Sequence, residues 1–116
     1  MQSNFQQYEA CIDACLRCAS ACNNCASSCT KEVDVQSMAM CIQLCMECSC
    51  ACYSAAQLMS LGSKKAEELC RICAQLCDTC GAECAKHDMD HCQQCAEWCM
   101  QCAQECKKLS LRPHLS

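Results

Sequence analysis

The sequence predicts an all-α fold: an antiparallel up-down-up-down four-helix bundle with a cysteine-lined core, spanning residues 1–110 as one domain and followed by a short tail, 111–116. Three observations carry that prediction. Cysteines recur at intervals of three and four, which keeps them on one face of a helix. This happens in four separate blocks joined by short connections. With one Trp, one Phe and two Tyr in 116 residues, aromatic bulk is too scarce for an ordinary core, so sulfur has to fill the middle.

The first block runs Cys11, Cys15, Cys18, Cys22, Cys25 and Cys29, on a helix predicted from Ser3 to about Thr30. These are the seam positions at which a helix normally buries Leu, Ile or Val, each worth roughly 1.5–3 kcal/mol. Lys31 to Val35 reads as a charged connection, with Asp34 the expected N-cap of helix two. The second block is Cys41, Cys45, Cys48 and Cys52; Met38 extends it backward, Ala55 and Met59 forward. Gly62 then supplies the left-handed residue that closes a helix C-terminus. Ser63 is the expected cap of helix three, which carries Cys70, Cys73, Cys77, Cys80 and Cys84 to about Lys86. His87 to His91 is a tight connection with Asp88 as cap, and helix four carries Cys92, Cys95, Cys99, Cys102 and Cys106 to about Leu109. Pro113 lies in a tail expected to be loose. Small residues beside the stripes (Ala14, Ala19, Ala21, Ala26, Ala51, Ala74, Gly81, Ala96, Ala103) permit close helix approach. Cys50 alone of the 21 cysteines is out of phase, on the outer face, and reads as an exposed thiol.

A disulfide scaffold of the secreted kind would be rich in loops, Gly and Pro, yet the chain has two Gly and one Pro, and helix geometry governs its thiol spacing. The N-terminal residues have neither a basic leader nor an apolar run of signal-peptide length, so the expectation is a cytoplasmic protein. A net charge of −4 leaves no basic stripe for nucleic acid. Polar residues interrupt every stretch short of the about 18–20 apolar residues that span a bilayer, so no membrane association is expected. Catalysis is not expected either, because no His, Ser or carboxylate is placed to activate one particular thiol in so repetitive a pattern.

Cysteine is a competent small hydrophobe, and one such helix could be plain core. Twenty seam positions without a Leu, Ile or Val are better explained by metal binding. Residues three and four apart on a helix are close enough for two thiolates to share an ion. Soft thiolates suit Cu(I), Zn(II) and iron–sulfur clusters, and charge separates them. Four-coordinate Zn(II) on twenty thiolates leaves a buried charge of about −10, whereas one Cu(I) per thiolate leaves about none. Iron–sulfur clusters call for discrete groups of four cysteines, which an unbroken stripe does not mark. Multiple Cu(I) ions per chain are therefore expected. A zinc store of metallothionein type and a thiol redox reservoir or sensor are the alternatives; the latter needs exposed thiols of low pKa.

The repeated Cys-x-x-x-Cys and Cys-x-x-Cys motif on four successive helices, from Cys11 to Cys106, resembles the cysteine-lined four-helix-bundle copper storage proteins of bacteria, in particular their cytosolic branch. The resemblance implies a Cu(I) store holding many ions, binding mostly through cysteine pairs within a helix, and assembly as a homotetramer. Cys50, Ala55 and Met59 are where this chain is expected to be idiosyncratic.

Antiparallel threading gathers Cys29, Met38, His87, Met89 and His91 at one end, and Phe5, Tyr8, Met59, Leu61, Leu69 and Leu109 at the other. His87 falls on the seam three residues past Cys84, and Met38 three before Cys41. Imidazole and thioether are copper ligands, so Met38, His87 and His91 are candidate ligands at a mouth where a donor or acceptor protein, or a small thiol, would exchange copper. The hydrocarbon end is expected to be blocked. On the outside, Leu16, Met46, Tyr53, Ile72, Leu76, Trp98 and Met100 are more apolar than a solvated face usually is, and part of this surface is expected to be a subunit interface.

Overall fold

The computed structural model describes residues 4–110, and every regular element among them is helical: α1 (Asn4–Cys29), a 3₁₀ turn (Val35–Met38), α2 (Ala39–Leu61), α3 (Ala66–Ala85) and α4 (Asp90–Ser110). Ser3, where the first helix was expected to begin, and the tail from residue 111 lie outside the described residues. Each helix packs chiefly on two neighbours in a ring (α1 on α2, α2 on α3, α3 on α4, α4 on α1), the antiparallel up-down-up-down bundle that short connections dictate. The result is a rod of 53 × 20 × 18 Å.

The helices form because Ala, Gln, Glu, Leu and Met dominate the positions between cysteines, and they end where the chain supplies a stop. Gly62 is left-handed (φ 67°, ψ 32°), its amide donating to Met59 O at 3.1 Å while the Ser63 amide reaches Leu58 O at 3.0 Å. That pair of bonds satisfies the last carbonyls of α2. Gly81 serves a different need. A Cβ built there would lie 3.2 Å from Cys99 Cβ, so glycine is what lets α3 and α4 close on one another.

The three expected caps are placed differently. Asp34 precedes the 3₁₀ turn, not α2, and its side chain caps nothing; its main-chain carbonyl accepts from the Ser37 amide and hydroxyl. Ser63 Oγ accepts the Lys65 amide at 3.0 Å, but that is a preliminary turn, and α3 starts at Ala66. α4 opens at Asp90, with Met89 O receiving the Cys92 and Gln93 amides, and Gln93 Nε2 braces the connection from Asp88's neighbourhood by donating to Ala85 O and His87 O.

One segment, Val35–Leu61, is long and apolar enough by length and composition to cross a bilayer, contrary to the expectation that none is. Part of its apolar character comes from seam residues. Cys41, Cys45, Cys48, Cys52, Ala55 and Met59 are all buried against the other helices, while Gln43 and Glu47 lie exposed and hydrogen-bonded to each other outside. In this fold the segment is one wall of the bundle.

Candidate metal centre

All twenty stripe cysteines are buried; Cys11 is 3% exposed and the other nineteen 0%. None of the 21 cysteines is in a disulfide, and Cys50 is exposed. The thiols fill the axis of the bundle as the heptad phase requires, and neighbours along and across it lie within van der Waals reach. Partners on one helix, such as Cys18–Cys22 and Cys25–Cys29, are 4.0 and 3.9 Å apart. Several pairs between helices are closer: Cys48–Cys77 3.5 Å, and Cys41–Cys84, Cys52–Cys73, Cys22–Cys95 and Cys11–Cys106 3.6 Å. Adjacent ladders of sulfur thus run along the α2–α3 and α1–α4 seams.

These ladders merge into overlapping quartets. Cys22, Cys45, Cys80 and Cys95 take one thiol from each helix, with all four sulfurs within 4.8 Å of one another. Toward one end Cys25, Cys29, Cys41 and Cys92 form another; toward the other come Cys18, Cys48, Cys52 and Cys77, then Cys15, Cys73, Cys102 and Cys106. With metal–sulfur bonds of about 2.3 Å, two sulfurs sharing an ion sit about 3.8–4.6 Å apart, from tetrahedral to linear geometry. The observed spacings need only small rotamer changes to meet that. Because quartets share members, as Cys18 and Cys22 do, the site is a continuous column and not a set of separate cages.

Cys29 and Cys41 (3.9 Å), Cys41 and Cys84 (3.6 Å) and Cys29 and His91 (4.0 Å) meet at one end, where the threading of the helices was expected to gather them. Met38 is buried there at 1% exposure. His91 aims Nδ1 at Cys25 Sγ and Cys92 Sγ, 3.5 Å from each, while its Nε2 lies 3.0 Å from Glu32 Oε1. His87 is placed differently. α3 ends at Ala85, so the helical phase that put His87 on the seam has lapsed, and its Nε2 pairs with Glu83 Oε2 at 2.9 Å. That bond holds the Glu83 carboxyl below the usual carboxylate range. Glu32, which no cysteine stripe or histidine spacing points to, is the side chain this geometry adds beside His91.

Burial sets the protonation of the mouth thiols. Desolvation, then the neighbouring charges of Cys41 and Cys92, push Cys29 up to about 12; burial likewise pushes Cys92 up to about 11. Both are neutral S–H groups at physiological pH.

At the opposite end Met59, Ile12, Ala66 and Leu109 are buried, with Tyr8 and Leu69 half-buried against them, so hydrocarbon closes the column. Phe5 and Leu61 are exposed and take no part in that closure. On the outside Leu16, Met46, Tyr53, Ile72 and Met100 are exposed as expected. Leu76 and Trp98 are half-buried, the Trp98 ring lying under the Arg17 guanidinium at 5.4 Å.

Residues 4–111, nearly the whole chain, match the family described as copper storage protein, Csp. The chain belongs to the copper storage protein family. Similar members include the Cu(I)-bound copper storage protein BsCsp3 from Bacillus, 44% identical, whose structure superposes with a TM-score of 0.84 over 87% of this chain and 95% of that one. A cytosolic copper storage protein from Streptomyces lividans, solved with five coppers, is 34% identical with a TM-score of 0.90 over 96% and 98% of the two chains. The cysteine-rich protein YhjQ of Bacillus subtilis strain 168 is 43% identical over 87 residues, 74% of this chain and 81% of that one. The similar structures share the bundle along nearly its whole length.

Proposed function

We propose that this protein stores and buffers Cu(I) in the cytosol, many ions per chain, on the twenty thiols that line its core. The observation that carries the reading is the continuity of buried sulfur, with neighbours 3.5–4.0 Å apart from Cys11 to Cys92. Each entering Cu(I) displaces thiol protons to solvent, and one ion per thiolate leaves the core neutral, so filling the column does not accumulate the buried charge that would oppose it. Bridging thiolates let successive ions share ligands, which suits a metal content with two or three sulfur ligands and no strict geometry. The family's name and the Cu(I)-bound relative support the choice of copper over zinc. The description of the Streptomyces relative as cytosolic supports the location.

Copper enters and leaves at the end marked by Met38, His87 and His91, from a donor protein or small thiol. The chain assembles as a homotetramer through part of its apolar outer face. It holds its cargo without transforming it. Anaerobic titration of the reduced protein with Cu(I) against a competing chelator, with metal analysis, tests the reading. The expected result is a capacity approaching the number of buried thiols, with no displacement of Cu(I) by excess Zn(II). A capacity of about five ions filled equally well by zinc would overturn it.

A further inference from the structure

We infer that Glu32, in the connection after α1, is a positioning residue for copper entry: it holds the His91 ring so that Nδ1 addresses the thiols at the mouth. This rests on the Cu(I)-storage reading and adds to it a residue that no cysteine stripe contains.

A neutral imidazole has one donor and one acceptor nitrogen, whereas a carboxylate only accepts. His91 Nε2 lies 3.0 Å from Glu32 Oε1, so Nε2 carries the proton and Nδ1 presents its lone pair. That lone pair faces Cys25 and Cys92 at 3.5 Å and Cys29 at 4.0 Å. Rotating the ring by half a turn would put Cδ2–H where Nδ1 stands and Cε1–H where Nε2 stands, losing both the Glu32 bond and the lone pair that faces the sulfurs. The bond also spans the mouth, tying the connection after α1 to the first turn of α4 across 59 positions of sequence. Its two side chains are only 15% and 33% exposed, so solvent screens the bond less than a surface pair.

The arrangement is the carboxylate–histidine pair that orients a ring toward a metal, and its loss typically costs about 10–100-fold in metal affinity or activity. An ion arriving at the mouth finds one nitrogen and three sulfurs converging, and no ring has to turn before it binds. As each thiol takes metal its proton leaves to solvent; Nδ1 has none to lose. His87, in the connection after α3, is held by a different carboxylate, Glu83 in the last turn of α3, so its ring is not a substitute for this pair.

The test uses the full-length reduced chain, anaerobically, with Glu32→Ala and Glu32→Gln. Loading from a Cu(I)–chelator donor should slow about tenfold in E32A, with final capacity unchanged, and E32Q, whose amide oxygen still accepts from Nε2–H, should recover most of the rate. In ¹⁵N-histidine NMR the wild-type His91 Nε2–H should exchange slowly with water, that protection should vanish in E32A, and the first equivalent of Cu(I) should shift Nδ1. E32A loading at the wild-type rate with an unaltered Nδ1 response would overturn the inference, as would E32Q being as slow as E32A. A wild-type Nδ1 that ignores Cu(I) would overturn the role of the mouth histidine instead, and a chain that takes up no copper would overturn storage itself.

Discussion

Cys48 Sγ on α2 and Cys77 Sγ on α3 are 3.5 Å apart, closer than the 3.9–4.0 Å separating same-helix partners Cys18–Cys22, Cys25–Cys29, Cys73–Cys77 and Cys80–Cys84. Both are also within 3.9 Å of Cys18 on α1. Cross-helix sharing is thus as available to copper as the within-helix pairing that the family resemblance implied. Cys48→Ala should reduce capacity by one or two ions and destabilise the metal-free chain by about 1 kcal/mol, the cost of a methyl-sized cavity. Titration end point and thermal melting of the apo variant measure the two effects. Capacity halved by this single change would mean that filling depends on a nucleus at the centre.

Truncating the mouth should change rates and not amounts. Met38→Ala combined with His91→Ala is expected to slow Cu(I) transfer in stopped-flow measurements while leaving capacity nearly intact. His87→Ala should have the smaller effect, since that ring is engaged by Glu83. Equal rates for all variants would place entry elsewhere.

The bundle should exist before its metal. Its seam thiols are already buried and its helices ended by chain-encoded stops such as Gly62, unlike a zinc finger whose few ligands must be gathered from an unfolded chain. Far-UV circular dichroism of the reduced, metal-free chain is expected to be fully helical. Cu(I) should raise the melting temperature without adding helix, as ligand linkage requires. A coil that becomes helical only with copper would refute this.

Acid and alkali should act on opposite partners of the loading equilibrium. Binding releases thiol protons, so apparent Cu(I) affinity should fall as pH falls. For the empty bundle the sign reverses. Cys29 and Cys92 titrate near 12 and 11 when folded but near the ordinary 9 when unfolded, so the folded chain keeps protons the unfolded chain sheds. This stability is fully present below about pH 9 and is lost as pH rises through 11 and 12. Anaerobic melting between pH 8 and 11 checks it; a flat profile would contradict the burial argument.

Met46 and Ile72, exposed on α2 and α3, test the assembly. Replacing both with Lys should dissociate a tetramer in light scattering while copper capacity per chain is kept. A wild-type monomer at micromolar concentration would rule the tetramer out.

Helix number, direction and the twenty-thiol core were legible because a three-four spacing can satisfy only one periodicity, and Gly62 because only glycine takes φ 67° freely. The caps were not. Asp34, Ser63 and Asp88 are all competent cap residues, but short turns preceding α2, α3 and α4 moved each helix start about one to four residues on. His87 was misplaced for a related reason: its seam position presumed helix beyond Ala85. The Glu32–His91 bond joins a loop to a helix 59 residues away, and no local pattern encodes such a meeting.

Met59, Ile12 and Leu109 seal one end of the column, and the histidine-marked mouth lies at the other. Under the proposed storage role, a column closed by hydrocarbon at one end and filled from the other keeps a history. Ions that share a doorway for arrival and departure form a stack, in which the earliest occupant is pressed deepest and is the last to leave. Pulse-loading with one copper isotope and then another would give a discharge order reversed from the filling order, so that the newest copper circulates while the oldest is kept in reserve.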